Sequence, residues 1–210
     1  PGLLVLLLLA FGLPAGQRVQ IAQAPPFAWR DLHGRLRAMI VAAGLLALAS
    51  VPEVFIVLWA RDAGLAVQWV PLVWAAARLA KMGIAMPAGI LSDRLGRAPL
   101  LIGGWSARVA VLLLLALLKP QGIGVWALFV AYSAALAITE PAERSLIGDH
   151  AQAHERGTAY GLYHLASGLL VLPGAVIFGT LWERLGSPTA FVAAAAVTLL
   201  AAALMLRATK

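Results

Sequence analysis

Ionisable and hydroxylic side chains stand inside stretches that are otherwise almost wholly apolar. Glu53 lies in the first full stretch, Arg78 and Lys81 in the second, Arg108 in the third and Tyr132 in the fourth. His164 lies in the fifth, next to Tyr163, with Tyr160 one turn earlier. At bilayer depth a lone cation costs on the order of 3 kcal/mol or more unless a partner or a water-filled cavity offsets it. Such residues are therefore functional candidates. Arg78 and Lys81 are three apart and share a helix face, which Trp74 joins four residues before Arg78. At ~1.5 Å per residue, Glu53 and Arg78 fall roughly 10 and 13 Å below the same membrane surface. A Glu53–Arg78 pair between antiparallel neighbours is then feasible, and the cluster is expected to face the bundle interior.

Two chemistries suit these residues. A buried carboxylate can take up a proton and release it when an Arg approaches. An Arg in a cavity can bind an anionic group of a solute. The alternative is a static ion pair that fixes helix packing. Arg108 is expected to snorkel or to pair locally. His164 is expected to be a hydrogen-bonded packing residue. Tyr132, Tyr160 and Tyr163 either pack with satisfied hydroxyls or contact solute.

Other chemistries lack their residues. There is no Cys, hence no thiolate ligand, Cys nucleophile or disulfide. His150 and His154 have the i, i+4 spacing of a helical zinc pair, with no obvious third ligand. No Gly-x-Ser-x-Gly occurs, and His164 is the single intramembrane His. No metal, no cofactor and no enzyme activity is expected, which sets aside a membrane-embedded protease.

The elements that position these groups follow from composition. Of 210 residues, 62% are hydrophobic and only 12% charged, with a mean hydropathy of +0.89. Soluble domains carry about 25% charged residues, so a polytopic helical membrane protein is expected. The apolar runs are continuous and do not alternate, which argues against a β-barrel. Six segments, 38–60, 69–91, 98–118, 123–140, 158–182 and 187–206, are each long enough, or nearly so, to span. Residues 1–13 read as the tail of a further spanning helix that starts before Pro1, and 14–37 as a polar loop.

The formal charge of +7 reflects topology, not nucleic acid binding. One side of the membrane collects ten basic residues: Arg18, Arg30, Arg35, Arg37, Arg94, Arg97, Arg144, Arg156, Arg207 and Lys210. The other side has three, Arg61, Lys119 and Arg184. The positive-inside rule makes the first side, with the C-terminus, cytoplasmic. Trp59, Trp69, Trp126 and Trp182 fall at the opposite helix ends, as an aromatic belt would. No sequence repeat is obvious.

Between the second and third full segments stands GILSDRLGR, residues 89–97. Gly89 allows a neighbouring helix to approach closely. Asp93 places a carboxylate at the membrane face, Gly96 permits a tight turn, and Arg94 and Arg97 hold the loop on the basic side. Gly89, Leu91, Ser92, Asp93, Arg94, Gly96 and Arg97 match the signature loop of the major facilitator superfamily, although Ala98 and Pro99 replace its usual basic continuation. Residues 140–144 (EPAER), 155–164 (ERGTAYGLYH) and the Gly- and Pro-punctuated run after them resemble helices ten and eleven of a drug-efflux-like or uncharacterised bacterial branch.

The resemblance implies a C-terminal six-helix half over 38–210, with 14–37 as the central cytoplasmic loop and an N-terminal six-helix half outside the chain. It implies secondary transport of a small solute by alternating access in a bacterial cytoplasmic membrane, with efflux and proton coupling favoured. Glu53, Trp74, Arg78, Lys81, Tyr132, Tyr160, Tyr163 and His164 would line the cavity. Gly89, Asp93, Arg94, Gly96, Arg97, Glu140, Glu143 and Arg144 would form a cytoplasmic gate, Asp93 pairing with Arg144 and Arg97 with Glu140 or Glu143. The rival reading is an orphan six-helix scaffold, or a half-transporter that works only as a homodimer.

Overall fold

The computed structural model describes Trp29, residues 32–152 and residues 155–209. The expected helix tail at 1–13, most of loop 14–37, His154 and Lys210 lie outside the described residues. Among the described residues there are seven α-helices and no strand. They are α1 (Gly34–Leu48), α2 (Glu53–Asp62), α3 (Val70–Leu95), α4 (Arg97–Leu117), α5 (Ile123–His150), α6 (Arg156–Leu185) and α7 (Ser187–Thr209). The first begins earlier than position 38, where His33 caps it by accepting from the Arg35 amide at 3.4 Å.

Five spans are long and apolar enough to cross a membrane: Gly34–Asp62, Arg97–Leu117, Ile123–His150, Arg156–Leu185 and Ser187–Ala208. The exception to the six expected is α3. It has the length, 26 residues, but Arg78 and Lys81 lower its hydropathy. The first span is not one continuous helix. It breaks between Leu48 and Glu53, with Pro52 as the cap of α2. Proline lacks an N–H and cannot continue the helical ladder.

The break leaves backbone groups without helical partners in apolar surroundings. Tyr132 of α5 meets two of them. Its hydroxyl accepts from the Val51 amide at 3.1 Å and donates to the Val51 carbonyl at 3.0 Å. Arg108 of α4 donates through Nη2 to the Leu46 carbonyl at 3.3 Å. That carbonyl is free because the Ser50 amide turns back to Ala47 instead.

The helices pack in a two-fold pattern. α1 lies against α6 and α7, just as α5 lies against α3 and α4, and α4 and α7 pack on each other. Exchanging the first span with α5, α3 with α6, and α4 with α7 maps one set of neighbours onto the other. The sequence carries a trace of this. Asp93-Arg94-Leu95-Gly96 ends α3 and Glu183-Arg184-Leu185-Gly186 ends α6. Gly96 and Gly186 share φ 86°, with ψ 160° and 161°. Only glycine adopts this left-handed turn without strain. A repeat therefore exists that inspection of the sequence missed, because so few residues preserve it.

The two related turns are finished differently. Beside the Gly186 turn, Phe55, Phe178, Trp182 and Phe191 form a ring cluster with centroids 5.0–5.9 Å apart. Trp59 is buried and Trp182 half-buried, so these two are core residues and not a lipid-facing belt. Trp69 is exposed and packs edge to face on the half-buried Trp126.

Close approach within the bundle is local. A Cβ at Gly174 would collide with the Leu48 carbonyl oxygen, whereas Gly168 has open space around it. Gly174→Ala should therefore destabilise the bundle by about 1–3 kcal/mol, read as a lower thermal midpoint in detergent, while Gly168→Ala leaves the midpoint unchanged. Tyr132→Phe strands both Val51 backbone groups. It should cost about 1–3 kcal/mol, measurable in the same assay.

Candidate functional site

The break that Tyr132 pins also sets the first cluster. Glu53 becomes the first residue of α2, where a carboxylate is favoured by the positive end of the helix dipole. Across from it, one face of α3 presents Arg78 and Lys81. Arg78 Nη2 lies 2.9 Å from Glu53 Oε2, and Lys81 Nζ lies 3.6 Å from Oε1. A single carboxylate thus serves two cations. The expected pair forms, and Lys81 joins it. The expected interior location holds only in part. Glu53 and Lys81 are half-buried, but the Arg78 side chain is 65% exposed on the bundle surface, and Trp74 is exposed beside it.

A second cluster surrounds Arg108, for which the sequence left snorkelling and local pairing open. Arg108 does not snorkel. It sits near the middle of α4, too far from either end, and is buried with Nε lacking a partner. It borders a cavity of about 230 Å³ with Ser50, Thr139, Glu140, Glu143, Arg144, Tyr163 and Ser167. Glu143 is buried and accepts from Trp105 Nε1 at 2.8 Å. Gly104, Trp105 and Arg108 occupy one face of α4 at i, i+1 and i+4, all buried.

The tyrosines and the histidine separate. The Tyr132 hydroxyl is committed to the backbone of the break. Tyr160 rests its hydroxyl over Gly148, where a Cβ would collide with it. Tyr163 lines the Arg108 cavity. His164 is exposed and touches Tyr163 edge to face at 5.0 Å, in place of the expected hydrogen-bonded packing role.

The third cluster lies at the Gly96 turn. Gly89, Ser92, Asp93 and Arg97 border a cleft of about 140 Å³ with Ala142 and Ser145 of α5. Gly89 has open space around it, so it borders this cleft and does not admit a close helix. Arg94 is exposed. Arg97 pairs with Asp149 and donates to the Ser145 carbonyl at 2.9 Å. The expected partners of Arg97, Glu140 and Glu143, and Arg144 as a partner for Asp93, are displaced from this contact. The cause is helical phase. Pro141, Ser145 and Asp149 recur every four residues on the face toward α3, whereas Glu140, Glu143 and Arg144 turn toward the Arg108 cavity. Asp149, absent from the sequence-derived set, was legible from that periodicity. Among the described residues no group of His, Asp and Glu is placed to hold a metal ion.

Comparison with known proteins follows the same lines. The chain is 33% identical over 99 residues to an uncharacterised MFS-type transporter of Methanocaldococcus jannaschii, covering 47% of this chain and 25% of that protein. The match therefore spans about a quarter of the length of that curated relative. The model of the Major Facilitator Superfamily matches residues 54–210, well over half of the chain, including every helix from α3 onward. With this match, the helical bundle of apolar spans and the 89–97 turn, the chain belongs to the Major Facilitator Superfamily, and its helices correspond to the C-terminal half of that fold.

Proposed function

We propose that this protein performs secondary active transport of a small solute by alternating access, driven by protons, with Glu53 as the proton-exchanging group. The observation that carries the reading is one carboxylate held between Arg78 and Lys81, at the edge of a helix break inside a membrane span. Ionised Glu53 holds α2 to α3 through both cations. Protonated Glu53 releases them, and the contact across the break loosens. A proton can thus be exchanged for a change in helix contacts. The Gly96 turn supplies the second element, a charged latch between α3–α4 and α5 through Arg97, Asp149 and the Ser145 carbonyl.

In this reading the Gly96 end and the C-terminus face the cytoplasm of a bacterial cell, and an N-terminal six-helix half completes the cavity. The exposed faces of Trp74 and Arg78 support that placement. Efflux is the direction the family resemblance favours. The sign of coupling decides it, since export by proton exchange needs solute and proton to exclude each other.

Reconstituted in liposomes with a pH-reporting dye inside, the protein should move protons with at least one member of a panel of anionic, neutral and cationic solutes. Glu53→Gln should abolish that proton movement while the thermal midpoint stays within a few degrees; undiminished proton flux in this variant sinks the assignment. The latch makes a second prediction. The chain has no Cys, so Ser92→Cys gives one thiol in the Gly96 cleft. Asp149→Asn should raise its labelling rate several-fold with a stability loss of only about 0–1 kcal/mol, as for exposed pairs generally. Equal labelling rates would show that Asp149 does not hold the cleft shut.

A further inference from the structure

The charges at the Glu53 cluster do not balance. Arg78 and Lys81 bring two positive charges to one carboxylate. The N-terminus of the ten-residue α2 adds the positive end of its dipole at the same place. The groups facing Glu53 are Arg78 and Lys81 from α3 and the Tyr132 hydroxyl from α5, with Arg108 of α4 beyond that tyrosine. None of them adds a negative charge. Arg108 is itself buried with its Nε unpartnered. From the open face to the Arg108 cavity the polar row therefore holds four cations, Arg78, Lys81, Arg108 and Arg144, against Glu53, Glu140 and Glu143. A site of this balance repels a cationic solute and attracts an anion.

The anion must compete with Glu53 for the same two cations. While Glu53 is ionised it neutralises one of them and occupies both. When Glu53 takes up a proton, Arg78 and Lys81 become free together. Arg78 is already exposed on the open side, and a guanidinium can hold a carboxylate, sulfonate or phosphonate through two parallel hydrogen bonds. On the same face of α3, exposed Trp74 one turn before Arg78 and exposed Met82 one turn after it offer an apolar bed for the rest of the molecule.

We infer that the Glu53–Arg78–Lys81 cluster binds a small organic anion with an apolar body together with a proton on Glu53, so that both are carried in the same direction. This rests on the transport reading above and settles its sign. Where protons are driven inward the anion is taken up, opposite to the efflux implied by resemblance.

Benzenesulfonate and phenyltrimethylammonium test this, because each has a fixed charge and an aromatic body. Pure full-length protein in detergent is titrated with each between pH 5 and pH 8. Benzenesulfonate should bind more tightly as pH falls, by up to about tenfold per unit for one linked proton. Phenyltrimethylammonium should not bind. Glu53→Gln should bind benzenesulfonate tightly at every pH, with the slope gone. A static ion pair predicts no pH slope in the unsubstituted protein for Glu53→Gln to remove. Arg78→Gln should weaken binding at least tenfold at every pH, and Arg78→Lys, which keeps the charge but loses the two parallel hydrogen bonds, should weaken it by less than Arg78→Gln while keeping the pH slope. Preferential binding of phenyltrimethylammonium, or no binding of benzenesulfonate, overturns the anion assignment. Benzenesulfonate binding that ignores pH, or that Glu53→Gln does not tighten, overturns the joint binding of proton and anion. The transport reading survives or fails separately, on the proton-flux assay, whose panel includes all charge types.

Discussion

An interrupted helix inside an apolar slab must find partners for its freed amides and carbonyls, and most of this bundle's polar interior follows from that requirement. The break between Leu48 and Glu53 draws Tyr132 from α5 and Arg108 from α4 onto its backbone. These contacts fix where α4 and α5 stand relative to the first span. They also fix the direction in which Glu53 leaves the break, and so the meeting of its carboxylate with Arg78 and Lys81. Arg108 then brings Glu143 and Tyr163 into the cavity it borders. The polar residues thus form one row, from an open face to the bundle centre, organised by the break. A single proline, Pro52, stands at its origin.

The two-fold arrangement of helices explains why such a row is held from both sides. The first span and α5 are each clasped by one helix from each of the other pairs. The related turns at Gly96 and Gly186 close the two ends with the same backbone geometry. Nested repeats of inverted topology are a common way to build a transporter in which one site serves both sides.

Much of this was legible in the sequence, and the failures have physical causes. Apolar runs of the right length gave the spans, and GILSDRLGR gave the family, because both signals are local. Glu53 and Arg78 could be paired because depth along two neighbouring helices is simple counting. Helical phase was harder. The latch partner of Arg97 was sought in Glu140 and Glu143, where charge is dense, but the face toward α3 carries Asp149 instead. Of the two alternatives for Arg108, snorkelling fails because it stands at mid-helix, while its carbonyl partner lies 62 residues away and in no common window. The break itself was foreshadowed by Pro52, yet its stabilisation depends on Tyr132, 81 residues away from Val51. No window of the sequence contains both. The repeat escaped because selection kept its geometry at Gly96 and Gly186 and let the surrounding chemistry diverge.

That divergence has a consequence for how the bundle answers its surroundings. One end is fastened by Arg97 and Asp149, a partly exposed ion pair that dissolved salt screens. The other is fastened by four packed rings, whose cohesion is indifferent to salt but fades on cooling. Ionic strength and temperature therefore act on opposite ends of the same molecule. Salinity thus sets how firmly one end is held, and warmth how firmly the other.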